Sequence, residues 1–204
     1  MSMDSYISVN RRIPQQERGA RRVADLLEAA ASEFAEVGYD AATMKAIAKR
    51  AGASIGAVYQ YFPNKAAVVS ALRTQYVNEM EERWTHLEEA TAGLSVKERV
   101  HRFVDVMIRF MQERPAYITI MDAPAPSGRD KKTRDRLRER LANVLRTRRP
   151  ALSEEQAYRV ASVSLQMIKS MNTLYAGAKL QERSEIIREY KLALTAYLEK
   201  RMLA

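Results

Sequence analysis

The 204-residue chain contains no cysteine. Disulfides, thiolate nucleophiles and Cys-type zinc sites are therefore excluded. No apolar run approaches the ~20 residues needed to span a bilayer. The first apolar residues, Tyr6, Ile7 and Val9, are flanked by Asp4, Arg11 and Arg12, unlike the unbroken apolar stretch of a secretory signal. Strand-like alternation is nearly absent, and there is no internal repeat or low-complexity tract. A nucleotide-binding Gly-rich loop and a His-Glu-x-x-His pair are also missing. The only two histidines, His86 and His101, are isolated and read as structural or surface residues. An enzyme is not expected, nor a metal or other cofactor. The expectation is a soluble, cytoplasmic protein.

Charge is present, but unevenly. The formal net charge is +9. By segment it is +2 over residues 1–65, −2 over 66–128, +7 over 129–149 and +2 over 150–204. Location matters more than the total. Residues 43–65 carry Lys45, Lys49, Arg50 and Lys65 with no acid, whereas 23–42 carry Asp25, Glu28, Glu33, Glu36 and Asp40 with no base. Such sorting orients a domain toward phosphates even when its total charge is modest.

Almost every segment has helical periodicity. Val23, Leu26, Leu27, Ala30 and Phe34 form one stripe, with Gly38 as its stop. Val100, Phe103, Val104, Met107, Ile108 and Met111 form another, opened by Ser95 and Glu98 in a capping-box pattern. Ser153 and Gln156 repeat that signal before Ala157, Val160, Ala161, Ser164, Leu165, Ile168, Met171 and Tyr175. The last stripe is Ile187, Tyr190, Leu194, Tyr197 and Leu198. Pro115, the 124–128 stretch and Pro150 break the helices.

Residues 43–62 carry the motif with functional content. Thr43 is placed to cap a short helix ending at Ala51, with Ile47, Ala48 and Ala51 facing inward. Gly52 suits the left-handed backbone of a tight turn. Ser54 is placed to cap a second short helix whose buried side is Val58 and Phe62, and Pro63-Asn64 restarts the chain at Lys65. Two short helices joined by a Gly-containing turn spell a helix-turn-helix, whose second helix enters the DNA major groove. Ile55, Gly56 and Ala57 lead that helix. Tyr59, Tyr61 and Lys65 suit phosphates, and Gln60 suits an adenine edge.

Residues 21–72 resemble the tetracycline-repressor (TetR) family of bacterial regulators. The words that carry the resemblance are Phe34-Ala35-Glu36-Val37-Gly38-Tyr39, the run from Thr43 to Ser54, and the run from Gly56 to Lys65. The resemblance implies an all-α fold: an N-terminal three-helix helix-turn-helix DNA-binding domain plus a C-terminal helical ligand-binding and dimerisation domain. It implies a homodimer that grips a palindromic double-stranded DNA operator and is released by a small-molecule effector. It places Thr43 and Lys45 at phosphate or base, Ser54, Ile55, Gly56 and Ala57 at bases, and Tyr59, Tyr61 and Lys65 at phosphates. Ile55 stands where the family often has a polar or basic residue, so an apolar contact to a thymine methyl is expected there.

The expected organisation is a flexible basic arm over 1–19, a DNA-binding domain over 20–66 and a ligand-binding and dimerisation domain over 67–204. Arg11, Arg12 and Arg18 supply the arm's charge, and Arg21 and Arg22 follow it, expected just ahead of the first helix. The family pattern puts a pocket in the second domain, and the expected lining is Phe103, Met107, Met111, Tyr117, Met121, Met167 and Met171, with Arg109, Asp122, Gln166 and Asn172 as polar contacts. The expected dimer interface is a four-helix packing through Ala157, Ala161, Ser164, Leu165, Ile168, Leu194 and Leu198, with intrachain packing as the alternative. The basic 129–149 segment reads first as a solvated helix face. The competing reading of the whole chain is a helical adaptor or membrane-surface protein using that segment.

Overall fold

A computed structural model describes residues 15–91, 93–124, 129–148 and 152–203. The described residues form nine helices and no strand: α1 (Gln15–Ala41), α2 (Met44–Arg50), α3 (Ile55–Tyr61), α4 (Lys65–Ala90), α5 (Val96–Glu113), α6 (Tyr117–Asp122), α7 (Arg129–Arg148), α8 (Glu154–Gly177) and α9 (Arg183–Leu203). The all-α expectation holds. The first helix starts at Gln15, so Arg18 sits on α1 rather than on an arm reaching to residue 19, and Arg21 and Arg22 lie on α1 rather than ahead of it. Arg11 and Arg12 lie outside the described residues.

The stripes account for the packing. Leu26, Leu27, Ala30 and Phe34 of α1 are buried together with Met44, Ile47 and Ala48 of α2 and Val58 of α3. At Gly38 the backbone takes φ 79° and ψ 173°, a combination that side chains other than glycine strongly disfavour. There α1 kinks, as the stop signal requires. Ser95 with Glu98, and Ser153 with Gln156, form the two capping boxes that open α5 and α8.

The long α4 ties the two halves together. Its Val68, Val69 and Leu72 pack in the same continuous core as α1 to α3, and its Tyr76, Met80 and Trp84 continue that core against α5, α6 and α8. The short α6 packs against α1, α4 and α8. Its C-terminal carbonyls would be left without partners. Arg73 of α4, itself buried, supplies them: its guanidinium donates to Ile120 O at 2.8 Å and also to Ala123 O.

The basic segment is not simply a solvated face. Arg136 of α7 meets Glu81 of α4 at 2.8 Å, and Arg140 meets Glu88 at 3.3 Å while donating to Thr85 Oγ1 at 2.8 Å. The positive α7 is docked on the negative edge of α4. Its apolar side, Ala142 and Leu145, packs with Ala157, Val160 and Ala161 of α8.

Candidate nucleic-acid interface and ligand cavity

Local capping builds the reading head. Thr43 Oγ1 accepts from Ala46 N–H at 3.1 Å and so starts α2. At its end, Gly52 N–H donates to Lys49 O at 3.2 Å and Ala53 N–H to Ala48 O at 2.9 Å. This pair of bonds is a Schellman closure, and Gly52 takes the left-handed φ of 58° that it needs. Ser54 Oγ then accepts from Ala57 N–H at 3.2 Å to start α3, and Asn64 Oδ1 accepts from Ala67 N–H at 2.9 Å to start α4. Three caps and one glycine fix the angle between α2 and α3.

The two sides of α3 differ sharply. Val58 is fully buried. Ile55, Tyr59 and Tyr61 are 42%, 51% and 40% exposed, and Gly56 and Gln60 also face outward, with Ala57 partly covered. Three large apolar or aromatic side chains exposed on one seven-residue helix mark an interaction surface. Thr43, Lys45, Lys49 and Ser54 are exposed beside them, and neither lysine has a carboxylate partner among the described residues.

Two of the four cations counted in the sequence are committed elsewhere. Arg50 donates to Glu33 at 3.1 Å and also to Glu36, bonds that raise its pKa above the ordinary arginine value. Lys65 was expected at phosphate, but its ammonium points inward. Nζ donates to the carbonyls of Tyr39 at 2.5 Å, Asp40 at 3.2 Å and Ala42 at 2.9 Å, and lies 4.3 Å from the Tyr39 ring centroid. An ammonium has three protons, and all three are engaged at the end of α1. Lys65 fastens α4 to α1.

Gly52-Ala53-Ser54-Ile55-Gly56 also has the spelling of a serine-hydrolase nucleophile elbow, Gly-x-Ser-x-Gly. The context is wrong for one. The elbow joins a strand to a helix, whereas here the serine joins two helices and its oxygen caps the second.

A cavity of about 420 Å³ opens among α4, α5, α6, α7 and α8. Of the expected lining, Met107, Tyr117 and Met121 border it, as do the expected polar residues Asp122, Gln166 and Asn172. Phe103 instead borders a smaller cavity of about 150 Å³. Met111 and Met171 are buried in the core, Met167 is half-buried and Arg109 is exposed, and none of them lines either cavity. The sequence reading missed the α4 wall: Arg73, Tyr76, Val77, Met80 and Trp84. The signal for it was Tyr76, Met80 and Trp84 at a spacing of four. Burial pushes the Tyr117 hydroxyl up to about 12. Three buried polar atoms on these walls have no hydrogen-bond partner: Trp84 Nε1, Asn172 Oδ1 and Ser164 Oγ.

The residues expected at a dimer interface lie in the interior of a single chain. Ala157, Ala161, Ser164, Ile168 and Leu194 are buried, and Leu165 and Leu198 are partly covered on the cavity walls. They face α7, α9 and the core, because a helix in a bundle turns its most apolar stripe inward first. The apolar residues that α8 and α9 leave outside are Val163, Leu174 and Leu192.

Comparison with known proteins agrees with this architecture. The family described as bacterial regulatory proteins, tetR family, matches residues 26–72, and the tetracyclin repressor-like C-terminal domain matches residues 95–198. The chain belongs to the TetR family. Like the family's other members, it is a transcriptional regulator with a DNA-binding helix-turn-helix, not an enzyme. Its relatives include the HTH-type transcriptional regulator YhgD of Bacillus subtilis, 31% identical over 103 residues, which are 50% of this chain and 53% of that protein. The HTH-type transcriptional repressor KstR of Mycobacterium tuberculosis is 35% identical over 104 residues, 50% of this chain and 43% of KstR. The chain thus spans about half the length of the curated relatives it matches. Among solved structures, a TetR-family regulator from Streptomyces coelicolor superposes with a TM-score of 0.67 at 24% identity, covering 88% of this chain and 98% of that one. A TetR regulator from Haloarcula marismortui gives 0.68 at 18% identity, covering 89% and 98%. These likenesses establish the shared fold. No described helix is long and apolar enough to cross a membrane.

Proposed function

We propose that this TetR-family chain is a homodimeric repressor that reads an inverted-repeat operator through α3 and leaves it when a small molecule occupies the larger cavity. The observation that carries the reading is the outward face of α3. Ile55, Tyr59 and Tyr61 stand exposed while Val58 alone anchors the helix. In this reading Ile55, Gly56, Ala57 and Gln60 meet bases, and Thr43, Lys45, Lys49, Ser54, Tyr59 and Tyr61 meet backbone or sugar. The DNA-binding unit is residues 20–66 and the effector and dimer unit is 67–204, with α4 entering the second from the first.

Dimerisation is assigned to the outer faces of α8 and α9. Val163, Met167, Ser170 and Leu174 recur along one side of α8, and Tyr190 Oη lies 3.1 Å from Ser170 Oγ, which carries that surface onto α9. The membrane-surface alternative is weakened where the charges are described, since three of the segment's four described basic side chains, Arg136, Arg138 and Arg140, pair with carboxylates of the chain. Arg146 alone of the four stays exposed with no carboxylate partner among the described residues.

Selection of bound sequences from a random DNA pool, followed by a salt titration, tests the reading. The expected product is an inverted repeat whose affinity falls steeply with salt. A pool that yields no inverted repeat would overturn it. Leu174→Arg should give folded monomers on sedimentation, with affinity for the full repeat reduced to that for a half-site.

A further inference from the structure

The two cavities meet at two side chains. Trp84 and Ile168 belong to the walls of both. The smaller cavity is bounded by Leu87, Val100, Phe103, Leu141, Val144 and Leu198, so its lining is apolar. The polar groups on these walls fall into two classes. The charged ones have partners. Arg73 holds the end of α6. Arg138 pairs with Asp135 at 2.9 Å, Arg140 with Glu88 at 3.3 Å and Lys169 with Asp122 at 3.8 Å. Arg99 is engaged as well. The groups without partners are neutral: the indole N–H of Trp84, the amide oxygen of Asn172 and the hydroxyl of Ser164, all of them buried.

A buried donor or acceptor without a partner is costly, and a ligand atom that pairs with it relieves that cost. A charged ligand group finds no complementary charge waiting. It must displace a partner already held, either the backbone carbonyls on Arg73 or the opposite charge of an ion pair, or enter an apolar wall unpaired. We propose that the ligand is an uncharged, mainly apolar molecule bearing at least one hydroxyl or carbonyl oxygen, bound across Trp84. The ligand oxygen accepts from Trp84 Nε1, and a ligand hydroxyl donates to Asn172 Oδ1, each once its covered side chain turns toward the cavity. The apolar body lies against Met80, Met107, Tyr117 and Met121, and a longer tail passes Trp84 and Ile168 into the smaller cavity. This specifies the chemistry of the effector and rests on the reading of the larger cavity as its site.

Trp84 is the only tryptophan of the chain, so its emission reports on both cavities directly. The full chain is titrated with two matched sets: 1-decanol, decanoate and decylammonium, and 4-cyclohexylcyclohexanol with its carboxylate and ammonium counterparts. The expected result is a saturable change in emission in which, for at least one set, the alcohol binds ten-fold or more tighter than both charged members. If the alcohol is preferred in neither set, including the case where no compound gives a saturable change, the proposal is overturned. Asn172→Leu should weaken the preferred alcohol about ten-fold and leave 2-undecanone, which has no donor, unchanged. An equal loss for both, or none for the alcohol, removes Asn172 from the site. Operator release is scored separately. A charged compound that binds best and releases operator refutes the proposal and leaves the effector reading standing. An alcohol that binds at Trp84 without releasing operator does the reverse.

Discussion

Lys49 and Arg50 at the end of α2 and Lys65 at the start of α4 are three cations of the reading head, and they have three different fates. Lys49 faces outward, Arg50 is held by Glu33 and Glu36, and Lys65 is fastened to carbonyls at the end of α1. Lys49→Ala should therefore leave stability within about 0.5 kcal/mol and reduce the salt slope of DNA binding by about one. Lys65→Met should do the opposite, costing about 1–3 kcal/mol in denaturant unfolding through its orphaned carbonyls. A Lys65→Met chain that kept wild-type stability but lost DNA affinity would return Lys65 to the phosphates. The difference also shows what could be read in advance. The Thr43 and Ser54 caps join residues three apart, so spacing alone reveals them. The Lys65 bonds reach back 23 to 26 residues to backbone oxygens, which no side-chain pattern encodes. Tyr117 gives a pH prediction at the same scale. Burial pushes its folded pKa up to about 12, above the ordinary tyrosine value of 10.0. The unfolded chain loses this proton first, so the stabilisation from keeping it is present below pH 10 and is lost as pH rises from 10 to 12. Tyr76, also pushed up to about 12 by burial, acts in the same direction. Tyr117→Phe should flatten the alkaline limb of stability against pH, and an unchanged limb would show that its hydroxyl ionises as easily in the folded chain.

Two glycines set the geometry of the elements, by different means. Gly52 takes an ordinary left-handed conformation, whereas Gly38 combines φ 79° with ψ 173° in a region that is nearly glycine's alone. A Cβ meets no atom within 4 Å at either position, so a substitution tests the backbone rather than packing. Gly52→Ala should cost about 1–2 kcal/mol. Gly38→Ala should cost more, up to about 3 kcal/mol, and straighten α1 so that the carbonyls of Tyr39 to Ala42 leave Lys65. Thermal melts of the two variants, with DNA affinity beside them, separate the effects. Equal losses would mean that the kink carries no strain of its own. Helix periodicity was enough to place α1, α2, α3, α5 and α8, because each has one dominant stripe and a local signal, a glycine stop in α1 and a side-chain cap in the others. It was not enough for the relation of α4 to α7. The negative 66–128 and positive 129–149 segments are both visible in the sequence, but the docking of Arg136 and Arg140 on Glu81 and Glu88 depends on two helices far apart in the chain lying side by side. The same distance hid which apolar residues the chain covers by itself. A stripe shows which residues avoid water, not whether the chain itself or a second copy covers them.

Across the whole molecule, the reading head and the cavity share α4, and α6 joins them a second time. Tyr117, Met121 and Asp122 of α6 line the larger cavity, while the same helix packs against α1. Arg73 sits at the crossing, bordering the cavity from α4 and holding the carbonyl end of α6. On the proposed reading, a ligand that needs room beside Tyr117 and Met121 favours one position of α6 over another, and through α1 one spacing of the two heads of a dimer. Energy passed this way is reciprocal: the factor by which ligand weakens operator binding equals the factor by which operator weakens ligand binding. Trp84 emission gives the second factor and a DNA titration gives the first, so the equality is open to direct measurement. Arg73→Met should leave Ile120 O and Ala123 O without their donor, lower stability by about 1–3 kcal/mol and shrink both factors together. DNA affinity without ligand should change little, because α2, α3 and their caps are untouched. If Arg73→Met kept the full coupling at reduced stability, α6 would be a support for the cavity wall, and the signal would travel along α4 alone.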